Sequence, residues 1–488
     1  MNRNGMKRLR YLLLLAALLT WTSCEKTPTD DPTPADPAPT DITLTPSSLS
    51  SIESGGAQFS LTVTSPSRPK LSVPDWMSFK DGTYDKYSIT FAVTVPANTT
   101  YESRSGEITV TAGSLSKSLS VSQKGIEKPV VPEIDKSKID SSPVTPSASA
   151  ETKKLYAFLL DHYNRHILSG VQSSMSHTND FVDAVYSATG SHPALAGYDF
   201  IFLQFSPTPA SWSWKQDYTD ISAPKEHWAK GGIVSYMWHW NVPDSETVFR
   251  DDSDTDHYGF YVKGAHNGNG ETEFDIREAL KEGTWQHECI LRDIDEIAIT
   301  FKALQEEGIP VLFRPLHEAA GNYTRYNPGG GAWFWWGRYG AEPCKGLWNL
   351  LYDRLTNHHK LNNLLWVWTI DVSAGFETAA AEWYPGDDRV DIIGADIYEN
   401  TLDAKTVQFT FMNKVSSRKM ATCSECGNVP DPEKSLTGGV PWSWFMVWPT
   451  TNNNTVDISG YPLNTTAYWK TLMGSEYVLT REKMGNWK

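Results

Sequence analysis

Eight short apolar runs, separated by amphipathic stretches and several of them ending in polar residues, constrain this chain more than any other feature. The runs are ILSGV (167–171), PALAGYDF (193–200), GIVSYMWHW (232–240), IPVLFRPLHE (309–318), LLWVWTID (364–371), DIIGADIY (391–398), KMATCSE (419–425) and WSWFMVWP (442–449). Between them lie stretches of helical periodicity such as RDIDEIAITFKALQEEG (292–308) and GLWNLLYDRLTNHH (346–359). Near-continuous apolar strands are buried on both faces and need crossover helices to cover them. Eight such units in about 330 residues predict a closed (β/α)8 barrel. A doubly wound open sheet is the alternative, but no glycine-rich phosphate loop follows the first run.

The region before the barrel reads differently. From 41 to 125 the chain carries short alternating segments, ITLTPSSLSI, AQFSLTVTS, YSITFAVTV, SGEITVTAG and SKSLSVSQKG, punctuated by Gly, Ser, Pro and Asn. That spacing predicts a small all-β, immunoglobulin-like sandwich. With DWMSF (75–79), RSGEITVTAG (104–113) and the closing VSQKG, the segment resembles a BACON domain, a module found on secreted glycan-degrading enzymes. Residues 126–150, rich in Pro, Ser and Lys, are expected to be a linker, and 151–488 the barrel domain.

Arg3, Lys7, Arg8 and Arg10 precede the apolar run Tyr11 to Leu19, a signal-peptide layout too short for a stable membrane span. Cys24 follows immediately after Thr22 and Ser23, so residues 1–24 resemble a bacterial lipoprotein signal ending at a lipidated Cys24, departing from the usual pattern at Trp21. The Pro/Thr/Asp tract of 25–40 would be an extended tether. The implied location is an exported protein held by a lipid anchor in the outer membrane, on its periplasmic or outer face.

Composition excludes more than it identifies. A net charge of -15 without a Lys/Arg block in the long middle of the chain argues against nucleic acid as a partner. Of 20 tryptophans, 18 follow residue 150, in clusters such as WSW (212–214) and WFWW (333–336). Most such residues are core; the excess also suits sugar rings, whose apolar faces stack on indoles. After Cys24 four cysteines remain, and CSEC (423–426) has CxxC spacing. No second pair accompanies it, so neither a metal nor a cofactor is expected. Strand alternation would place Cys423 with Glu425 on one face and Cys426 on the other.

In a (β/α)8 barrel catalytic groups sit at the C-terminal ends of the strands. The chain places His239 and Trp240 at the third, His317 and Glu318 at the fourth, Asp396 and Tyr398 at the sixth and Glu425 at the seventh. One charge at a strand end is a solvated edge; a ring of them is not. Glutamates on the fourth and seventh strands face each other across the mouth, and hydrolysis of a glycosidic bond with retention needs such a pair roughly 5 to 5.5 Å apart. One must be protonated, which burial and a neighbouring carboxylate favour; the other must be charged, which Arg314 and Tyr398 would support.

RPLHEAAGN with AWFWWG (332–337), MWHWNVP (237–243), YPGDDRVDIIGADIY (384–398) and SECGNV (424–429), in this order, resemble glycoside hydrolase family 26 over about 155 to 450. The resemblance implies a retaining β-mannanase on this barrel, acting on mannan, glucomannan or galactomannan. It makes Glu318 the acid/base and Glu425 the nucleophile, with His317 beside the acid and Tyr398 bonded to the nucleophile. His239, Trp240, Trp333, Asp396 and Trp448 would bind or border the sugar. The insertion NYTRYNPGGG (322–331) departs from the pattern ahead of Trp333. A hydrolase of xylan or mixed-linked glucan is the alternative enzyme, and an inactive glycan-binding lipoprotein the alternative class, which would have lost one glutamate. The long segment 251–276 contains DDSDTD, but lacks the glycine and glutamate of an EF-hand loop. It is expected to wall the mouth and bias cleavage toward chain ends, releasing mannobiose. A monomer is expected.

Overall fold

The computed structural model describes residues 37–100, 102–126, 135–173, 177–205, 217–251, 257–266, 270–325, 327, 331–372, 376–452 and 455–488. Cys24, most of the tether and the WSW cluster lie outside the described residues. The chain forms two compact units, one ending at residue 128 and one beginning at 129.

The N-terminal unit has two antiparallel sheets. One contains β1 (Thr43–Thr45), β2 (Ala57–Thr64), β5 (Ser88–Val95) and β4 (Ser78–Lys80); the other contains β3 (Lys70–Ser72), β6 (Arg104–Ala112) and β7 (Leu115–Gln123). Every second residue of the long strands, such as Leu61, Val63, Phe91, Val93, Ile108 and Val121, enters one shared core. The short β3 and β4 are not legible in the sequence, where LSVPDWMSFK lacks alternation over enough residues. Trp76 of DWMSF is no open platform on one face, because the Arg104 guanidinium lies 4.4 Å from its ring centroid.

The C-terminal unit is a closed parallel barrel of eight strands: β8 (Ile167–Gln172), β9 (Leu195–Asp199), β10 (Ile233–Met237), β11 (Val311–Arg314), β12 (Leu364–Asp371), β13 (Ile392–Ile397), β14 (Met420–Cys426) and β15 (Trp444–Val447). Closure is by β15 on β8, from Trp444 opposite Leu168 to Val447 opposite Val171. All eight predicted runs form strands. Leu168, Leu195, Ile233, Leu312, Leu365, Ile392, Met420 and Trp444, one from each strand, cluster with Leu155, Tyr156 and Leu159 of α1 (Ala150–His162), which covers the N-terminal end. Toward the opposite end the buried residues turn polar, with Gln172, Asp199, Arg314, Thr369, Asp371, Asp396, Ser424 and Glu425. An apolar floor beneath a polar mouth is what positions the site.

Residues 135–149 correct the linker expectation. Ile139 is buried with α1, Asp140 accepts from Arg418 Nη2 and Lys419 Nζ at 2.6 Å each, and the Val144 N–H donates to Asp391 Oδ1 at 2.7 Å. Irregular composition hides such docking, since it leaves no periodic signal to read. The helix expected from 292 also starts earlier, at Trp285, where the Thr284 side chain accepts from the His287 N–H and caps it. The fourth strand ends sooner than its apolar run. Pro315 has no N–H for the ladder, so β11 stops at Arg314 and the chain turns through Leu316 (φ 51°) and Glu318 (φ 50°).

Candidate active site

Glu425 owes its placement to an irregularity. Ala395 pairs with Cys423 and Asp396 with Glu425, which leaves Ser424 as an extra residue in β14. A bulge of this kind lets two consecutive side chains serve one face. Ser424 Oγ donates to Asp396 Oδ1 at 2.6 Å, while Glu425 Oε2 accepts from Arg314 Nη2 at 2.5 Å. The same irregularity overturns the expected cysteine alternation: Cys423 and Cys426 are both buried in one apolar core.

Arg314 links two elements. Its Nη1 donates to Asp396 Oδ2 at 3.0 Å, and its Nη2 also lies 3.0 Å from Met237 Sδ. All three charged groups are nearly fully buried, so the guanidinium offsets two carboxylates that would otherwise be stranded. Tyr398, at the end of β13, donates its hydroxyl to Glu425 Oε1 while 46% of the residue stays exposed. Both oxygens of Glu425 therefore meet a donor. Burial, followed by the charge of Glu425 and opposed by Arg314, raises the Asp396 carboxyl to about 7.

Glu318 stands in the opposite environment. It lies on the turn after β11 and keeps part of its surface open to the mouth. Burial pushes its carboxyl well above the ordinary range, and the charges of Glu425, Asp396 and Asp371 add to the shift, while Arg314 opposes it. A glutamate so placed holds its proton near neutral pH, as a general acid requires. Its left-handed backbone is uncommon for a residue with a side chain and carries a local strain.

Beside it, His317 is buried, and burial, then His239, then Arg314 push its imidazole well down. The His239 N–H and Nδ1 address the two oxygens of Asp199 at 2.9 and 2.6 Å, and His239 Nε2 lies 3.3 Å from His317 Nε2. These bonds assign the tautomers: Nδ1–H on His239 and Nε2–H on His317. Trp336 Nε1 donates to the His317 carbonyl at 3.0 Å and so pins the turn that carries Glu318.

The remaining candidates divide. Trp333, half-buried, rests on Gly321, where a Cβ would come within 2.3 Å of its indole, and the Gly321 N–H donates to the Glu318 carbonyl at 2.8 Å. The insertion has therefore not carried Trp333 away from the acid. Trp448, also half-buried, sets its ring 5.6 Å from that of His239. Trp240 does not line the mouth. It is fully buried, stacked at 3.9 Å on Trp238, and its Nε1 donates to Asp293 Oδ2 of the following helix at 2.8 Å. Neighbours in extended chain face opposite ways, so His239 and Trp240 could not both look inward. Asp396 is likewise too deep to touch a ligand; it serves Arg314.

Sequence reasoning missed Asp199 and Asp371, which end their strands and were open to the same rule as the others. It missed Ser424, which depends on the bulge, and Phe260 and Tyr261 of the long segment. The Phe260 ring lies 4.9 Å from that of His239, and Glu318, after burial, raises the Tyr261 phenol. Backbone bonds tie this segment to the Trp333 region, from Val262 N–H to the Trp333 carbonyl at 2.8 Å and from Trp335 N–H to the Phe260 carbonyl at 3.1 Å. Of DDSDTD, residues 252–256 lie outside the described residues. Among the described residues, Asp295, His358 and His359 bring possible metal-ligand atoms within 4.8 Å of one another, but Arg354 already occupies both Asp295 oxygens at 2.6 Å each.

Comparison with known proteins agrees with this geometry. The profile described as glycosyl hydrolase family 26 matches residues 144–464, and one described as BACON, a putative N-terminal binding domain, matches 71–124. A mannan endo-1,4-beta-mannosidase of Thermothelomyces thermophilus is 35% identical over 352 residues, 72% of this chain and 64% of that protein. Mannan endo-1,4-beta-mannosidase B of a Piromyces species is 33% identical over 320 residues, 64% of this chain and 49% of that one. The chain thus spans between about half and just under two thirds of these curated relatives. Among solved structures, a beta-mannanase from a symbiotic protist of the termite Reticulitermes speratus, complexed with gluco-manno-oligosaccharide, is 36% identical with a TM-score of 0.59, covering 72% of this chain and 99% of that one. The GH26 domain of a Prevotella bryantii endo-beta-mannanase/endo-beta-glucanase is 31% identical with a TM-score of 0.60, covering 71% and 100%.

Proposed function

The chain belongs to glycosyl hydrolase family 26, and from that premise we propose that it hydrolyses β-1,4-mannosidic bonds of mannan, glucomannan or galactomannan with retention. The observation that carries the reading is the unlike treatment of two glutamates at one barrel mouth. Glu425 meets Arg314 and Tyr398, whereas Glu318 is held protonated by burial and by negative neighbours. Glu425 attacks the anomeric carbon while Glu318 gives its proton to the glycosidic oxygen, releasing one half of the chain and leaving a glycosyl ester. Glu318, now ionised, takes a proton from water, whose oxygen attacks the same carbon and frees Glu425. His239, Trp333 and Trp448 border the sugar.

The test is parallel assay of the protein on linear β-1,4-mannan, xylan and mixed-linked glucan. Selective turnover of mannan is expected; turnover of another glycan alone would keep the two glutamates and move the substrate. A finer reading is that the segment around Phe260 and Tyr261 walls the cleft and favours mannobiose release from chain ends. Its support is the backbone pairing of that segment to the Trp333 region; the names of the relatives, which specify internal cleavage, stand against it. Mannobiose as the sole early product would support the wall, and a spread of lengths would remove it.

The N-terminal sequence supports a lipid-anchored, exported protein, tested by whether Cys24→Ala moves the protein from membrane to soluble fractions. A spacer role for the sandwich draws support from the covered face of Trp76. A monomer is the simplest state for a one-chain site, and sedimentation tests it.

A further inference from the structure

Tyr398 donates to Glu425 while 46% of the residue stays exposed, so packing holds only part of its ring and its aim depends on the backbone that carries it. That backbone is fastened on both sides. Before Tyr398, Ile397 pairs with Cys426, and the Ile397 carbonyl takes the Gly427 N–H at 3.3 Å. After it, the Glu399 carbonyl accepts from Asn428 Nδ2 at 3.2 Å, and the same amide donates to Asn400 Oδ1 at 3.1 Å. Asn428 Oδ1 accepts the Leu463 N–H at 2.9 Å, which fixes the oxygen end of the amide and leaves none of its groups idle. Asn428 is almost fully buried, so water does not compete for these bonds. Only Cys426 and Gly427 separate it from Glu425. One side chain thus joins the segment of the nucleophile to the peptide that follows its tyrosine.

The tyrosine loop is also braced from within. The buried Lys405 donates from Nζ to the Thr401 carbonyl at 3.0 Å and to Glu399 Oε2 at 3.1 Å, and Gln408 Nε2 donates to Glu399 Oε1 at 2.7 Å. Lys405 holds a left-handed φ of 60°, which persists only where surrounding contacts over-determine it. Gly427 completes the seat. A Cβ there would stand 3.3 Å from the Tyr398 ring, so the ring lies against bare backbone, and the Gly427 carbonyl is itself held by Asn464 Nδ2 at 2.6 Å.

We propose that Asn428 is a positioning residue for the reaction: its amide ties the peptide after Tyr398 to the segment after Glu425, so that the phenol hydroxyl and the carboxylate keep one spacing. The inference rests on the reading of Glu425 as nucleophile. Lys405 secures the same peptide from the far side of the loop. Small displacements of groups around a reacting centre are costly to rate, whereas neither residue needs to touch the sugar for this role.

The test is a double-mutant cycle with Asn428→Ala, Tyr398→Phe and both together, on manno-oligosaccharide, with thermal melting as the check of folding. Asn428→Ala should lower kcat by about 3- to 10-fold with KM unchanged. In the Tyr398→Phe background, where no hydroxyl remains to be aimed, Asn428→Ala should have no further effect on kcat. Additive losses, an unchanged kcat or a change confined to KM would overturn the proposal. Lys405→Met carries the same cycle if Asn428→Ala does not fold: its smaller loss of kcat should also vanish in the Tyr398→Phe background, and an additive loss would overturn the proposal as well. Glu425→Ala, assayed alongside, separates the two levels. Retained turnover there overturns the nucleophile reading and this inference together, whereas lost turnover with an additive cycle overturns the role of Asn428 alone.

Discussion

Glu318 and Glu425 share a side chain, a barrel mouth and a set of neighbours, yet the protein treats them oppositely. Glu425 sits within a strand, where a bulge turns it inward and Arg314 and Tyr398 each donate to one of its oxygens. Glu318 sits beyond a strand that Pro315 has ended, on a left-handed turn, among groups that raise its carboxyl. The difference teaches that the role of a carboxyl group lies in what is placed around it. A fixed cation and a donor make one glutamate an acceptor, and burial beside negative charge makes the other a proton carrier.

Substitutions that remove one side while sparing the other test this contrast most severely. Glu425→Ala should reduce kcat on mannan by about four orders of magnitude while manno-oligosaccharide still binds, measured by turnover and calorimetry. Glu318→Gln should cost about 10²- to 10⁴-fold on polysaccharide and far less on an aryl mannoside whose leaving group needs no proton. Equal losses on both substrates would show that the two sides are not distinct in kind. Arg314→Met strands Asp396 and Glu425 in the interior and should destabilise the barrel by about 3 to 5 kcal/mol, read from denaturant unfolding.

Smaller effects sharpen the comparison. A carboxyl whose folded pKa is raised binds a proton more tightly folded than unfolded, so it costs stability as pH rises from the ordinary carboxylate range through the folded pKa. Glu318→Gln should therefore raise the melting temperature in mildly alkaline buffer and leave it unchanged in acid where both forms are protonated. An equal shift at both pH values would mean that packing, and not charge, distinguishes this side. Asp199→Asn should lower kcat by about 10-fold, by loosening the histidine pair next to Glu318. Its effect should be independent of Tyr398→Phe on the far side, and a strong coupling between them would dissolve the division of the site into two halves.

Much of this is legible in the amino-acid sequence. The apolar runs mark all eight strands, and the rule that barrel chemistry gathers at strand C-termini marks six polar positions at their ends, both glutamates among them. Trp240 shows where such reading fails: the rule selects strand ends but not the direction of adjacent side chains. Ser424 and Phe260 show a second limit. One depends on a bulge without a compositional mark, and the other comes to His239 from the long segment between two strands.

The sequence by itself determined the layers, the apolar floor of the barrel and the residues available at its mouth, because hydrophobic period and strand ends are local properties that survive without a fold. Only the tertiary structure decided which carboxyl group meets a cation and which meets negative charge. That assignment rests on a one-residue bulge and a proline-ended strand, and each brings together residues whose separation along the chain carries no signal of their contact.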